Sequence, residues 1–256
     1  MKRLFAFAYG VACYLAFLAT FVYAIGFIGN LYVPNSLDSA AVTPLGRALI
    51  INSALLMLFA LQHSIMARKW FKDAWTRIVP PPVERSTYVL LSSLALILMF
   101  AFWQPMGIVL WKVSSPALQS LVIGVFGLGW GLVFVSSLLI KHVDLFGRRQ
   151  VWLYLQNRPY TNLIFRTPLF YRYVRHPLYL GWLMVFWATP TMTAAHLLFA
   201  VATTGYILVA IQFEERDLVR IHGARYEQYR NQVPMILPVG GSRVAPARRA
   251  DAAYGD

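Results

Sequence analysis

The sequence predicts an all-α integral membrane protein with five to six transmembrane helices and interfacial helices on one side. Three observations carry this expectation. The 256 residues are 59% hydrophobic, with a mean hydropathy of +0.56 and only 13% charged, a balance no soluble domain requires. The apolar residues gather into six runs, near 5–28, 47–67, 86–103, 117–140, 177–189 and 193–213. Threading the chain through a bilayer along those runs leaves 21 of the 23 Lys and Arg residues on one side.

The first run follows Lys2-Arg3 and has the look of a secretory leader. It is too long for one, and Val22-Tyr23-Ala24 makes a poor cleavage site, so it reads as a membrane anchor. Cys13 lies within it; as the single cysteine it forms no intrachain disulfide and is expected to pack. An external loop, 29–46, rich in Asn, Pro, Ser and Asp, leads to the second run. Residues 68–85 form a short cytoplasmic loop whose Pro80-Pro81-Pro82 reads as an extended spacer delivering Glu84 and Arg85 to the third run. The fourth run holds Gly124, Gly127, Gly129 and Gly131. The GxxxG spacing of Gly127 and Gly131 predicts close helix packing, and no GxGxxG lies between a strand and a helix to suggest a nucleotide fold.

Residues 141–176 are too long and amphipathic for a bare loop. Trp152, Tyr154, Leu155, Leu163 and Phe165 alternate with arginines, which predicts at least one interfacial helix or re-entrant piece. Pro190, within Thr189–Thr193, divides the last two runs into a helical hairpin; the five-span alternative treats 177–213 as one broken element. Residues 215–231 are expected to continue the last helix out of the bilayer. The transmembrane domain thus occupies 1–238, and 239–256 is expected to be a disordered tail.

The basic residues orient the layout. Lys2 and Arg3 precede the first run, five Lys/Arg fall in 68–85, seven in 141–176 and seven after 213; only Arg47 and Lys112 lie opposite. With six spans, both termini are cytoplasmic. The net charge of +13 is then a rim facing anionic headgroups, and an anionic cosubstrate, rather than a nucleic-acid surface.

Four polar clusters fall at the cytoplasmic ends of the runs: Gln62-His63-Ser64 with Arg68, then Glu84-Arg85-Ser86-Thr87-Tyr88, then Lys141-His142-Val143-Asp144-Leu145-Phe146-Gly147, and finally Arg175-His176 with Glu214-Glu215-Arg216. Each alone has an ordinary explanation as a helix start, a snorkelling cation or a solvated helix end. Their coincidence at one depth, where ionisable groups are costly, points to a single pocket.

The stretch Arg175-His176-Pro177-Leu178-Tyr179-Leu180-Gly181, with Glu214-Glu215 and then Gly223-Ala224-Arg225-Tyr226-Glu227-Gln228-Tyr229, resembles the isoprenylcysteine carboxyl methyltransferase and phospholipid methyltransferase superfamily. Gln62 to Arg68, Glu84 to Tyr88 and Asp144 to Gly147 are similar to the branch that contains bacterial methanethiol S-methyltransferases and NnrU-like proteins. The resemblance implies an S-adenosylmethionine-dependent membrane enzyme, its cofactor pocket lined by Arg175, His176, Tyr179, Gly181, Glu214 and Glu215. A basic group there suits the methionyl carboxylate, a glutamate its ammonium, and Tyr179 or Tyr229 the adenine or the sulfonium. Gly181 permits close approach.

In-line methyl transfer to a small thiol would give dimethyl sulfide, and it needs a thiolate. The expected catalytic residues are His63, Arg85, Tyr88 and Asp144. Asp144 or His63 takes the proton, and Arg85 and Tyr88 shape the site. A narrow apolar pocket closed by Trp103, Phe146 or Trp182 suits so small a substrate, which reaches it from the bilayer. Competing readings are methylation of another thiol, an isoprenylcysteine carboxylate or a lipid, and a non-catalytic NnrU-like protein. A haem or quinone protein using His63 and His142 leaves the glutamate pair without a role. The histidines lack compact ligand spacing, so no metal is expected.

Overall fold

The computed structural model describes residues 1–140, 142–161 and 167–238. The expected disordered tail, 239–256, lies outside them, as do Lys141, Leu163 and Phe165. Five helices are long and apolar enough to cross a membrane: α1 (Lys2–Gly29), α2 (Leu45–Ala67), α4 (Pro81–Phe102), α5 (Pro116–Leu139) and α9 (Ala194–His222). The seven-residue α3 (Lys69–Trp75) links α2 to α4. The expected interfacial elements after α5 are α6 (His142–Leu145), α7 (Arg148–Leu155) and a 3-10 turn, Leu169–Arg172. The shorter α8 (Pro177–Trp187) precedes α9, and α10 (Ala224–Gln232) ends the described chain.

Two short strands decide the sixth crossing. β1 (Val109–Lys112) follows α4, and β2 (Thr191–Thr193) joins α8 to α9; they pair antiparallel. The α8–α9 turn therefore lies at the same face as the α4–α5 connection, and α8 with the segment 188–193 makes a sixth passage. At the opposite face Arg3 Nη2 donates to Asn157 Oδ1 at 2.6 Å, which ties the start of α1 to the end of α7. This second face carries most of the basic residues and is called the basic face below. The sheet was not anticipated, because strands of three and four residues leave no periodicity to read.

Three local expectations change. The proline run is not a spacer: Pro80 alone is extended, while Pro81 and Pro82 occupy the first turn of α4, where a missing N–H costs nothing. The Gly127/Gly131 spacing meets no neighbour; the close contact falls on Gly129, two residues and about 200° round the helix. A Cβ on Gly129 would lie 3.0 Å from the Gly181 carbonyl oxygen, and one on Gly181 2.9 Å from that of Gly129. The last helix does not run on to 231, because Gly223 (φ 55) breaks it between α9 and α10.

An aromatic core fills the middle of the bundle. Trp182 meets Trp130 edge-on at 5.1 Å, and Phe199 meets Phe186 and Trp103 at 5.2 and 5.9 Å. In lipid this packing, rather than exclusion of water, holds helices together. α7 docks on α1 where Gly10 leaves room for the fully buried Val151.

Candidate active site

The last turn of α2, the first turns of α4 and α8, and the last third of α9 converge at the basic face. Two clusters result.

In the first, His63 reaches from α2 to α4. Its Nε2 lies 2.9 Å from the Tyr88 hydroxyl and its Nδ1 3.1 Å from Ser92 Oγ. Phe59 stacks on the imidazole at 5.2 Å, and Tyr206 of α9 stands edge-on to it at 6.5 Å with its hydroxyl 3.4 Å from Ser64 Oγ. The Arg85 guanidinium sits 4.9 Å from the Tyr88 ring centroid, a cation–π distance. Tyr206 and Ser92 were missed. Ser92 lies one turn beyond Tyr88 and was findable on that spacing; Tyr206 stands in an unbroken apolar run and gave no signal.

In the second, the Arg175-His176 turn packs under α9. Arg175 Nε donates to Glu215 Oε1 at 2.7 Å, and its Nη1 donates to the carbonyl oxygens of Arg230 and Val233. The buried His176 places Nε2 3.0 Å from the same carboxylate oxygen; a carboxylate only accepts, so Nε2 carries the hydrogen. Backbone N–H groups of Arg175 and His176 donate to the carbonyls of Pro234 and Met235. Glu215 is thus enclosed, and the trio clamps the C-terminal segment against α8. Glu214 differs. Its side chain is 45% exposed, Tyr179 donates to its Oε2 at 2.9 Å, and His176 Nδ1 stands 4.0 Å away without a hydrogen bond.

Tyr179 links the clusters, since it lies within electrostatic reach of Glu214, Tyr206 and Tyr88. The structure therefore brings His63, Arg85 and Tyr88 together beside Tyr179 and Glu214, with Arg175, His176 and Glu215 behind them. Asp144 stands apart. It is ion-paired to Arg149 at 3.1 Å and accepts from the Tyr160 hydroxyl at 3.2 Å. Its own carboxylate makes no hydrogen bond to the first cluster among the described residues; the turn that carries it is linked there by Arg85 Nε, which donates to the Leu145 carbonyl at 2.8 Å, and by Phe146, which packs against the group formed by Met66, Tyr88 and Val89. Gly181 faces α5, so its missing side chain is accounted for by helix packing.

Asp144-Leu145-Phe146-Gly147 is a docking turn: Phe146 stacks on Phe17 at 3.9 Å, and Gly147 (φ 82) lies so close to Ser86 that a Cβ there would fall 2.8 Å from its backbone nitrogen. None of Trp103, Phe146 and Trp182 packs on His63; Phe59 and Tyr206 do. Tyr229 is buried and donates to the Tyr171 carbonyl. His142 is engaged by Tyr14 and Ser137, as His63 is by Tyr88 and Ser92, so both ring nitrogens of each are occupied. An apolar groove of about 620 Å³ runs between Leu180, Leu183 and Met184 of α8 and Pro234–Leu237.

No family model and no solved structure matches the chain. Curated proteins do. The chain is 58% identical over 243 residues to a methanethiol S-methyltransferase of Crocosphaera subtropica, covering 95% of each. It is 52% identical over 238 residues to one of Mycobacterium tuberculosis, covering 93% of this chain and 98% of that protein. A methanethiol S-methyltransferase 2 of Bradyrhizobium diazoefficiens is 50% identical over 249 residues, covering 97% of this chain and 94% of the relative.

Proposed function

The chain belongs to the methanethiol S-methyltransferase family, and on that premise we propose that it methylates methanethiol to dimethyl sulfide with S-adenosylmethionine as donor. The basic face is cytoplasmic, in keeping with the clustering of Lys and Arg there, and the membrane is the bacterial inner membrane. The observation that carries the reading is the pairing of a half-exposed, Tyr179-held Glu214 with the anchored His63–Tyr88 couple on one face.

The residues present fit a cationic, zwitterionic nucleoside. Glu214 accepts hydrogen bonds from its donor groups, and the Tyr179, Tyr206 and Tyr88 faces suit a sulfonium. Arg175, His176 and Glu215 act from behind, holding α8, α9 and the C-terminal segment in one geometry. Gly181 sets how closely α8 approaches α5. When bound, the donor supplies an electrophilic methyl group.

The chain's own contribution is orientation, exclusion of water and removal of one proton. The thiol proton is relayed across the Tyr88 hydroxyl to His63 Nε2, and the thiolate sulfur then takes the methyl group as its bond to the donor sulfur breaks. Arg85, above the Tyr88 ring, favours the anionic nucleophile. Asp144 is committed to Arg149 and Tyr160, so His63 is the better acceptor and Asp144 positions the α6–α7 turn beneath Arg85. The groove beside α8 gives a small apolar thiol a path from the bilayer.

The test is headspace detection of labelled dimethyl sulfide from purified protein given methyl-labelled S-adenosylmethionine and methanethiol. Product that disappears in Glu214→Ala and falls in His63→Ala, with Asp144→Asn retaining most turnover, is expected. Full turnover in His63→Ala would remove it as proton acceptor. S-adenosylmethionine binding without dimethyl sulfide would redirect the reading to a larger thiol, a carboxylate or a lipid, and no binding at all to a non-catalytic protein.

A further inference from the structure

The resemblance implies a basic group of the Arg175-His176 pocket for the methionyl carboxylate of the donor. The Arg175 guanidinium is instead committed within the chain, to Glu215 and to two backbone carbonyls. A carboxylate entering this site must find another cation.

One group of charges at the basic face is left incomplete. Lys72 of α3 is partly buried, yet its ammonium makes no hydrogen bond or salt bridge with any described residue. Its charged neighbours are Arg85 and Glu84 of α4, Arg68 at the end of α2, and Asp217 of α9. Arg68 and Asp217 satisfy each other at 3.3 Å. Arg85 lies over the Tyr88 ring and donates from Nε to the Leu145 carbonyl, while its two Nη groups make no hydrogen bond with any described residue. Glu84 Oε1 is buried with no hydrogen-bond partner. Two cations and a carboxylate thus lie near one another, and Lys72 and Glu84 do not close into an ion pair. A buried charge without a partner is costly, and an unmade hydrogen bond at a buried oxygen costs about 1–3 kcal/mol. The arrangement is complementary to a ligand carrying both a carboxylate and an ammonium.

We propose that Lys72, Arg85 and Glu84 receive the zwitterionic aminoacyl end of the methyl donor, its α-carboxylate on the two cations and its α-ammonium on Glu84. The proposal rests on the S-adenosylmethionine reading above and orients the donor within it. Tyr88 lies one helical turn after Glu84, so the aminoacyl group is held one turn from the His63–Tyr88 couple where the methyl group is delivered. The nucleoside end then extends toward Tyr179 and Glu214, whose carboxylate suits ribose hydroxyls. Desolvation, and after it the Arg85 guanidinium, pull the Lys72 ammonium below its usual pKa range; a carboxylate placed beside it offsets that by stabilising the charged form.

The test compares two ligands on the full-length protein in lipid nanodiscs. S-adenosylhomocysteine carries the aminoacyl group; methylthioadenosine has the same nucleoside thioether without it. Lys72→Met should weaken S-adenosylhomocysteine by about tenfold or more and leave methylthioadenosine unchanged. Lys72→Arg should restore most of the loss, and Glu84→Gln should weaken the same ligand selectively. Unchanged S-adenosylhomocysteine affinity in Lys72→Met, or equal weakening of both ligands, overturns the proposal. If the unaltered chain binds neither nucleoside, the donor itself is misassigned and the proposal falls with it.

Discussion

The α8–α9 hairpin buries a histidine against a carboxylate at each of its ends, and the two pairs are built differently. At the far face, His196 Nδ1 lies 2.8 Å from Asp38 Oδ2 and its Nε2 3.0 Å from the Phe186 carbonyl. Both ring nitrogens face acceptors. Asp38 also accepts from Thr193 and from Asn30, and Thr193 caps α9 by accepting from the His196 N–H at 3.1 Å. The Asp38 carboxylate at the start of α9 complements that helix's dipole. Every polar group in this clasp is matched by protein. At the basic face, His176 and Glu215 are matched with Arg175, but Glu214 keeps half its surface open, and Lys72 and Glu84 nearby lack partners. A closed end holds the hairpin to the loop after α1; an open end is where a ligand completes the charge balance.

The largest expected effect tests the closed end. Asp38→Ala takes the acceptor away from the buried His196, from Thr193 and from Asn30 at once, and should cost about 3–5 kcal/mol of stability while sparing turnover per folded molecule; thermal unfolding in detergent beside the dimethyl sulfide assay measures both. Next, Glu214→Gln should lower turnover by about 100-fold and shift stability by no more than about 1 kcal/mol, the reverse pattern. If both variants lost stability and activity together, the two ends would be one cooperative unit rather than a clasp and a site.

Between them lies the α5–α8 crossing. Gly181→Ala sets a methyl group against the Gly129 carbonyl and should cost about 1–3 kcal/mol, whereas Gly127→Ala should change stability by less than about 0.5 kcal/mol; the two melting temperatures compare them directly.

The smallest effect is one of pH. Burial alone would raise the Asp38 carboxyl, but His196, Thr193 and Asn30 outweigh it and hold the pKa below the usual range. A lowered folded-state pKa contributes stability that is present above the unfolded value of about 4 and is lost as pH falls through the folded value. The melting-temperature gap between the unaltered chain and Asp38→Ala should therefore be full near neutrality and narrow only below about pH 4.

Much of this was legible beforehand. The apolar runs and one-sided arginines specify the crossings, and Arg175-His176 with Glu214-Glu215 do meet across α8 and α9. What the sequence concealed was the partner of each polar group. The carbonyls of Arg230 and Val233 that hold Arg175 belong to no side-chain pattern. Nothing local distinguishes Glu215, enclosed, from Glu214, open, because successive residues on a helix point about 100° apart and only the neighbours decide which is covered. His196 stood in an apolar run, where an ionisable group is itself a signal; its partner Asp38 is 158 residues away in a loop. The glycine spacing misled for the same reason: Gly127 and Gly129 are equally good small residues, and only the direction of approach of α8 selects one.

α8 has 11 residues, so it spans about 16 Å, roughly half of a hydrocarbon core of about 30 Å. Its far end is pinned by the strand pair and its near end by Glu215, leaving it little freedom to tilt or slide. Non-helical backbone completes the passage over 188–193, and its polar groups are taken up by protein: Ala188 and Thr189 donate to the Met184 and Trp187 carbonyls, and Pro190 accepts from the Val113 N–H. A helix too short to cross alone thus completes its passage without demanding a thinner bilayer.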